Sequence, residues 1–293
     1  MNGAFLSELT SILDFVMMAR MRRFFSCLLF LFIFPFSGCT PAVPDGMVFV
    51  PSGEFVMGTN ETRLEDLAMD YGIVKPWVMD AVPERRQYLS AFYLDRFEIT
   101  NAKYFRFVQA ANFQILPHWP GGRPSLAQEN LPVVFVDWEE ADAYCRWAGK
   151  RLPTEGEWEK AARGPDGWIY PWGVFFDPRR ANVGGLHADL KPVGSFPLGG
   201  SPYGAMDMIG NAWEWTAEEY LPYPGASFAS QYYGRAFRVV RGNSFAGIGH
   251  FPPADQALVR AAQSRAAYRM FFAPNIALRD IGFRCARDFL DPV

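Results

Sequence analysis

Two helix starts stand close together near the middle of the chain, and after them no helical pattern recurs. Asp137 with Glu140, and Thr154 with Glu157, each pair a capping acceptor with an acid three residues on, which satisfies orphan amides reciprocally. Ala141, Cys145 and Ala148 fall on one face of the first helix, and Gly149 stops it. Trp158, Ala161 and Ala162 line the second, and Gly164 ends it. Beyond Gly164 only short strands are expected, at Pro192–Phe196, Phe237–Ser244 and Ile281–Arg287, between loops rich in Gly, Asn and Trp. Such a chain cannot be a helical bundle. Its 9 Trp, 12 Tyr and 27 Phe, with 23 Pro and 26 Gly, predict a loop-rich fold pinned by aromatic packing.

The N-terminal side completes the domain. Met47–Val50 and Phe55–Gly58 read as strands about a turn at Pro51–Glu54, and residues 59–90 as a polar, irregular excursion. Phe92–Thr100 alternates as a strand. Thr100 then caps a helix carrying Tyr104, Phe105, Val108 and Ala111, and residues 112–132 are loop. The economical reading is one irregular α+β domain over residues 47–290. A hydrophobic content of 50% excludes disorder, and a net charge of −3 argues against a nucleic-acid partner.

The first forty residues read as an address. Arg22 and Arg23 precede the apolar run Phe24–Phe36, then Ser37, Gly38 and Cys39, which has the form of a secretory signal peptide over residues 21–38. The run is shorter than the roughly 20 apolar residues of a spanning helix. Small residues followed by Cys resemble a bacterial lipobox, although Phe36 stands where that family prefers Leu. The resemblance implies a lipid on Cys39 and a tether over residues 39–46; an incidental Cys after an ordinary signal peptide is the plainer alternative. Residues 1–20 then precede the natural start, expected at Met21. The location implied is the bacterial cell envelope, lipid-anchored, outer membrane or periplasm, with Thr40 favouring the outer membrane.

Cys27 lies in the leader, which leaves Cys145 and Cys285. An oxidising envelope favours a disulfide between them, worth roughly 5 kcal/mol for so long a loop; two free buried thiols are the competing reading.

The ordered motifs carry a family resemblance. Met47–Gly58 opens the domain (MVFVPSGEFVMG), followed by Phe92–Asn101 (FYLDRFEITN), Val136–Gly164 and Tyr170-Pro-Trp-Gly173. Later come Gly210-Asn-Ala-Trp-Glu-Trp-Thr216, Arg238-Val-Val-Arg-Gly-Asn-Ser244 and Gly282-Phe-Arg-Cys285. Over nearly all of residues 47–290 this resembles the formylglycine-generating enzyme, or sulfatase-modifying factor, family. The resemblance implies an irregular C-type-lectin-like fold with few helices and short strands, and it matches Cys145 and Cys285 to the family's structural disulfide. It also implies a structural Ca2+ on Asp207, Gly210, Ala212 and Glu214. A second site matches Asn182 and Val183, with partners near Asp189. Calcium takes roughly six to eight oxygens, mixing carboxylates with backbone carbonyls, and this loop offers both. A plainer role for it is core packing by Trp213 and Trp215, with Glu214 capping a neighbour.

Family enzymes oxidise a substrate cysteine with a copper-binding cysteine pair that follows the Gly-Gly-Ser-aromatic motif. The corresponding stretch here, Gly242–Pro253, has no Cys, and none lies between Cys145 and Cys285. Copper therefore lacks its thiolate ligands. His118, His187 and His250 are isolated in sequence, yet ligands can converge in space, so iron stays open. His250 sits where the missing cysteines would be. Arg260, Arg265, Arg269 and Arg284 resemble arginines flanking the family's groove, and ordinary pairing with Asp and Glu fits them equally. The candidate groove is Ser244, His250, Arg265 and Arg269.

The expected function is a non-catalytic, envelope-anchored protein that binds a protein or peptide, or serves as a scaffold. The alternative is an oxidoreductase of the same superfamily, of sulfatase-maturation or non-haem-iron type, acting on a peptide or small molecule. A sugar-binding lectin ranks lowest, since neither Glu-Pro-Asn nor Gln-Pro-Asp occurs.

Overall fold

The computed structural model describes residues 42–70, 75, 77–248 and 251–290. The expected leader, Cys39 and His250 lie outside them.

The first strands do not pair with each other. β1 (Met47–Val50) joins β4 (Phe92–Asp95), and β4 also pairs with β9 (Ala286–Asp288), both antiparallel. β2 (Gly53–Met57) pairs instead with β3 (Arg85–Leu89). A third sheet has the order β7 (Met270–Phe272), β6 (Arg238–Arg241), β5 (Trp213–Glu219), β8 (Ile281–Gly282), with β8 parallel to β5.

The helices expected from capping are present. Thr100 caps α2 (Asn101–Ala111), and full capping boxes open α3 (Trp138–Trp147) and α4 (Glu155–Arg163). On α2 the buried side chains include Tyr104 and Val108, as expected, together with Phe107, while Phe105 is half-buried and Ala111 exposed. Two further helices depart from expectation: α1 (Arg63–Asp70) within the polar excursion, and α5 (Gln256–Gln263) beyond Gly164. Asp255 makes no side-chain cap on α5, whose buried residues are Val259 and Ala262, so its apolar face is confined to two positions and no cap marks its start. Pro192–Phe196 is not a strand; Val193 donates to the Asn130 carbonyl and Gly194 turns the chain away. Ile281–Arg287 divides between two sheets.

Aromatic side chains tie loops to elements, as the composition predicts. Trp138 Nε1 donates to the Thr216 carbonyl at 2.8 Å and Trp215 Nε1 to that of Val136 at 3.1 Å. Tyr104 stacks on Tyr144 with centroids 5.6 Å apart, joining α2 to α3. Cys145 of α3 is disulfide-bonded to Cys285, just before β9.

Candidate functional site: an acidic loop beneath an exposed aromatic face

The 207–214 loop is drawn tightly onto Asn182 and Val183. Asn211 N donates to the Asn182 carbonyl at 2.8 Å. A Cβ on Gly210 would come within 2.6 Å of that same oxygen, so only glycine fits there. The two expected calcium-ligand sets therefore stand side by side. Asp207 Oδ2 accepts the Gly194 amide at 2.6 Å, whereas Oδ1 takes no hydrogen bond from a described residue. The Asn182 side-chain nitrogen donates to the Asp189 carbonyl and to Asn211, while its Oδ1 is buried without a partner.

The charge balance here is uneven. Glu214 Oε2 accepts from Trp158 Nε1 at 2.7 Å and from Arg284 Nε at 2.6 Å, and Oε1 accepts from Arg284 Nη2 at 2.7 Å. Glu98, absent from the sequence-based set, is fully buried and accepts from Asn211 Nδ2 and the Ala212 amide, each at 3.0 Å. Burial, then the charges of Asp207 and Glu214, hold its carboxyl well above the usual carboxylate range. Asp207 is raised as well, chiefly by burial. These three buried acids face one guanidinium, Arg284. An orphaned amide oxygen and surplus negative charge fit a hard divalent cation, with carbonyls supplying much of the shell. Glu214 is already engaged by Arg284 and Trp158, which leaves Asp207 as the freer carboxylate. Among the described residues, no three His, Cys, Asp or Glu side chains converge as a metal-binding group.

Above this loop lies the stretch that carries the thiols in the resembled enzymes. Gly242 sits where a Cβ would press on the Met208 carbonyl and the Trp158 ring, which draws the 242–245 turn onto the loop. Phe245 N donates to the Asn211 carbonyl at 3.0 Å. Ser244 is 2% exposed and its Oγ donates to Asp280 Oδ2 at 2.8 Å, so its hydroxyl is buried and tied to the loop at Asp280. Asp280 in turn accepts the Trp213 amide through its carbonyl. Arg279 lies 5.2 Å over the Phe245 ring. Phe135, held at φ 58° and 36% exposed, donates through its amide to the Leu278 carbonyl and lies against the His118 ring at 4.8 Å. His118, Phe135, Leu278 and Arg279 thus form a face that sequence reasoning missed, because they come from separate loops with no shared spacing.

The arginines separate. Arg269 is 1% exposed and is spent on both Glu155 oxygens and the Asp80 carbonyl, so it braces the core rather than a ligand groove. Arg284 pairs with Glu214, and Arg260 donates to the Gly184 carbonyl. Arg265 is half-buried, without an ion pair to a described residue.

The comparisons agree with this architecture. The sulfatase-modifying factor enzyme 1-like domain matches residues 37–289, and the chain belongs to that family. It is 35% identical to the mouse protein named inactive C-alpha-formylglycine-generating enzyme 2, over 84% of this chain and 86% of the relative. It is 30% identical to the formylglycine-generating enzyme of Streptomyces coelicolor, over 87% and 93%. The solved structure of PvdO from Pseudomonas aeruginosa superposes with a TM-score of 0.62 at 24% identity, covering 83% of this chain and 94% of that one, which speaks for the fold alone.

Proposed function

We propose that this protein is a non-catalytic member of its family that binds a protein or peptide on the face formed by His118, Phe135, Leu278 and Arg279. One observation carries the reading: Cys145 and Cys285, the only cysteines after Cys39, are joined to each other. A buried disulfide offers no thiolate to copper, and thiolate is the ligand that copper(I) requires. The relative named inactive supports the same reading. Incubating the full chain with a cysteine-containing peptide, copper and oxygen is expected to yield no aldehyde, read by a carbonyl-reactive tag and mass spectrometry. Aldehyde on the peptide would overturn the reading.

Two finer statements belong to the same proposal. A structural Ca2+ rests on Asp207, the Asn182 side chain and the carbonyls of Val183, Gly210 and Ala212, with Glu214 and Arg284 holding the loop behind it. It neutralises the surplus charge and performs no chemistry. The chain is anchored in a bacterial envelope through lipid on Cys39.

A further inference from the structure

A cleft of about 440 Å³ lies between α2 and the loop 123–129, and it shares no residue with the face of His118, Phe135, Leu278 and Arg279. Its two walls hang from one buried amide. Asn101 Nδ2 donates to the carbonyls of Gln128, Leu131 and Pro132 at 3.1, 3.1 and 3.2 Å, and Asn101 Oδ1 accepts from Trp119 Nε1 at 3.0 Å. The Ala102 amide reaches the Glu129 carbonyl at 3.0 Å, and Ser125 closes the loop through its amide and hydroxyl on Gln128 Oε1. Helix and loop are therefore fixed to each other before any ligand arrives, which lowers the ordering cost of binding.

The lining is amphipathic. Phe105 packs its ring edge-on to Trp119 at 5.7 Å, and Leu126 is 86% exposed at the rim. Arg106 enters from the helix and Arg123 from the loop. Both are exposed, and neither forms an ion pair with a described residue. Glu129 is the one acid in the lining, so the cleft keeps a positive surplus on a chain whose net charge is −3. A guanidinium is a planar fork that matches a carboxylate, and two forks beside an apolar rim match acidic residues next to aliphatic ones.

We propose that this cleft docks an extended acidic segment of a partner protein, with carboxylates on Arg106 and Arg123 and an aliphatic side chain against Phe105 and Leu126. A concave slot admits a chain, whereas an anionic bilayer would meet only its rim.

The test is fluorescence anisotropy with the full chain and a labelled peptide of alternating Asp and Leu. A twin with Lys for Asp and anionic phosphatidylglycerol vesicles serve as the other arms. The Asp peptide is expected to bind, to weaken as salt rises, and to lose about tenfold or more in affinity to the Arg106→Glu/Arg123→Glu variant. Both side chains are exposed, so the thermal midpoint of that variant should match the parent. Leu126→Ser is expected to weaken binding without changing its salt dependence. No binding at millimolar peptide, equal binding by the Lys twin, full affinity in the double variant, or arginine-dependent capture by vesicles in place of peptide would each overturn the proposal.

Discussion

Glu218, near the end of β5, shows how much one side chain can carry unseen. Its Oε2 accepts the Glu155 amide at the start of α4. Burial, and then the negative charges of Glu155 and Glu157, push its carboxyl from 4.5 up to about 7. Between those values the folded chain holds a proton that the unfolded chain has released. The contribution of this group to stability is therefore full below about 4.5, falls as pH rises through the window, and is flat above about 7. Glu218→Gln keeps the acceptor and removes the titration. It is expected to stabilise the protein by on the order of 1–2 kcal/mol at mildly alkaline pH, and by nothing resolvable in mild acid. Denaturant titrations at the two pH values check this; an equal effect at both would refute it. Nothing in the run Trp213–Glu219 announces this behaviour, because its acids come from a helix that lies far away in sequence.

At the scale of elements, the helix capped by Thr100 and the two opened by capping boxes were legible, whereas α1 and α5 were not. The burial of α4 was only partly legible. All nine of its residues are buried, though five are charged. Glu155 is met by Arg241 and Arg269, Glu159 by Arg163 and Arg241, and the Lys160 ammonium by the carbonyls of Pro51 and Gly53. A helix of this composition reads as solvated on all but one side, and partners so remote in sequence leave no periodic trace. The 207–214 loop divides in the same way. Its carbonyl-bearing residues followed from the motif, whereas Glu98 and Arg284 became part of the site only through folding. If calcium sits there, excess Ca2+ over EDTA should raise the thermal midpoint by about 5 °C or more at a hundredfold excess over Kd. The rise should largely vanish in Asp207→Ala. An unchanged midpoint in the parent would remove calcium from the proposal.

At the scale of the whole molecule, the α+β class and the long-range disulfide were visible beforehand, because ordered motifs and a thiol count constrain both. The distribution of strands was not, since β2 and β3 leave the first sheet and β8 and β9 separate, and short strands carry no signal for a partner. The envelope anchor is tested at this scale. Palmitate fed to a Gram-negative host expressing the full chain should label it, and the label should be lost in Cys39→Ser. An unlabelled parent would rule the anchor out.

β4 has its flanking strands drawn from either side of it in the chain, β1 before it with β2, α1 and β3 in between, and β9 far beyond it, after α5, β7 and β8. That sheet cannot be completed until the chain as far as Asp288 has joined it. The wait is long on the timescale of local helix formation, since sequence-distant pairings close slowly. Until β9 arrives, one edge of β4 stands open, and an open strand edge invites both proteolysis and stray pairing.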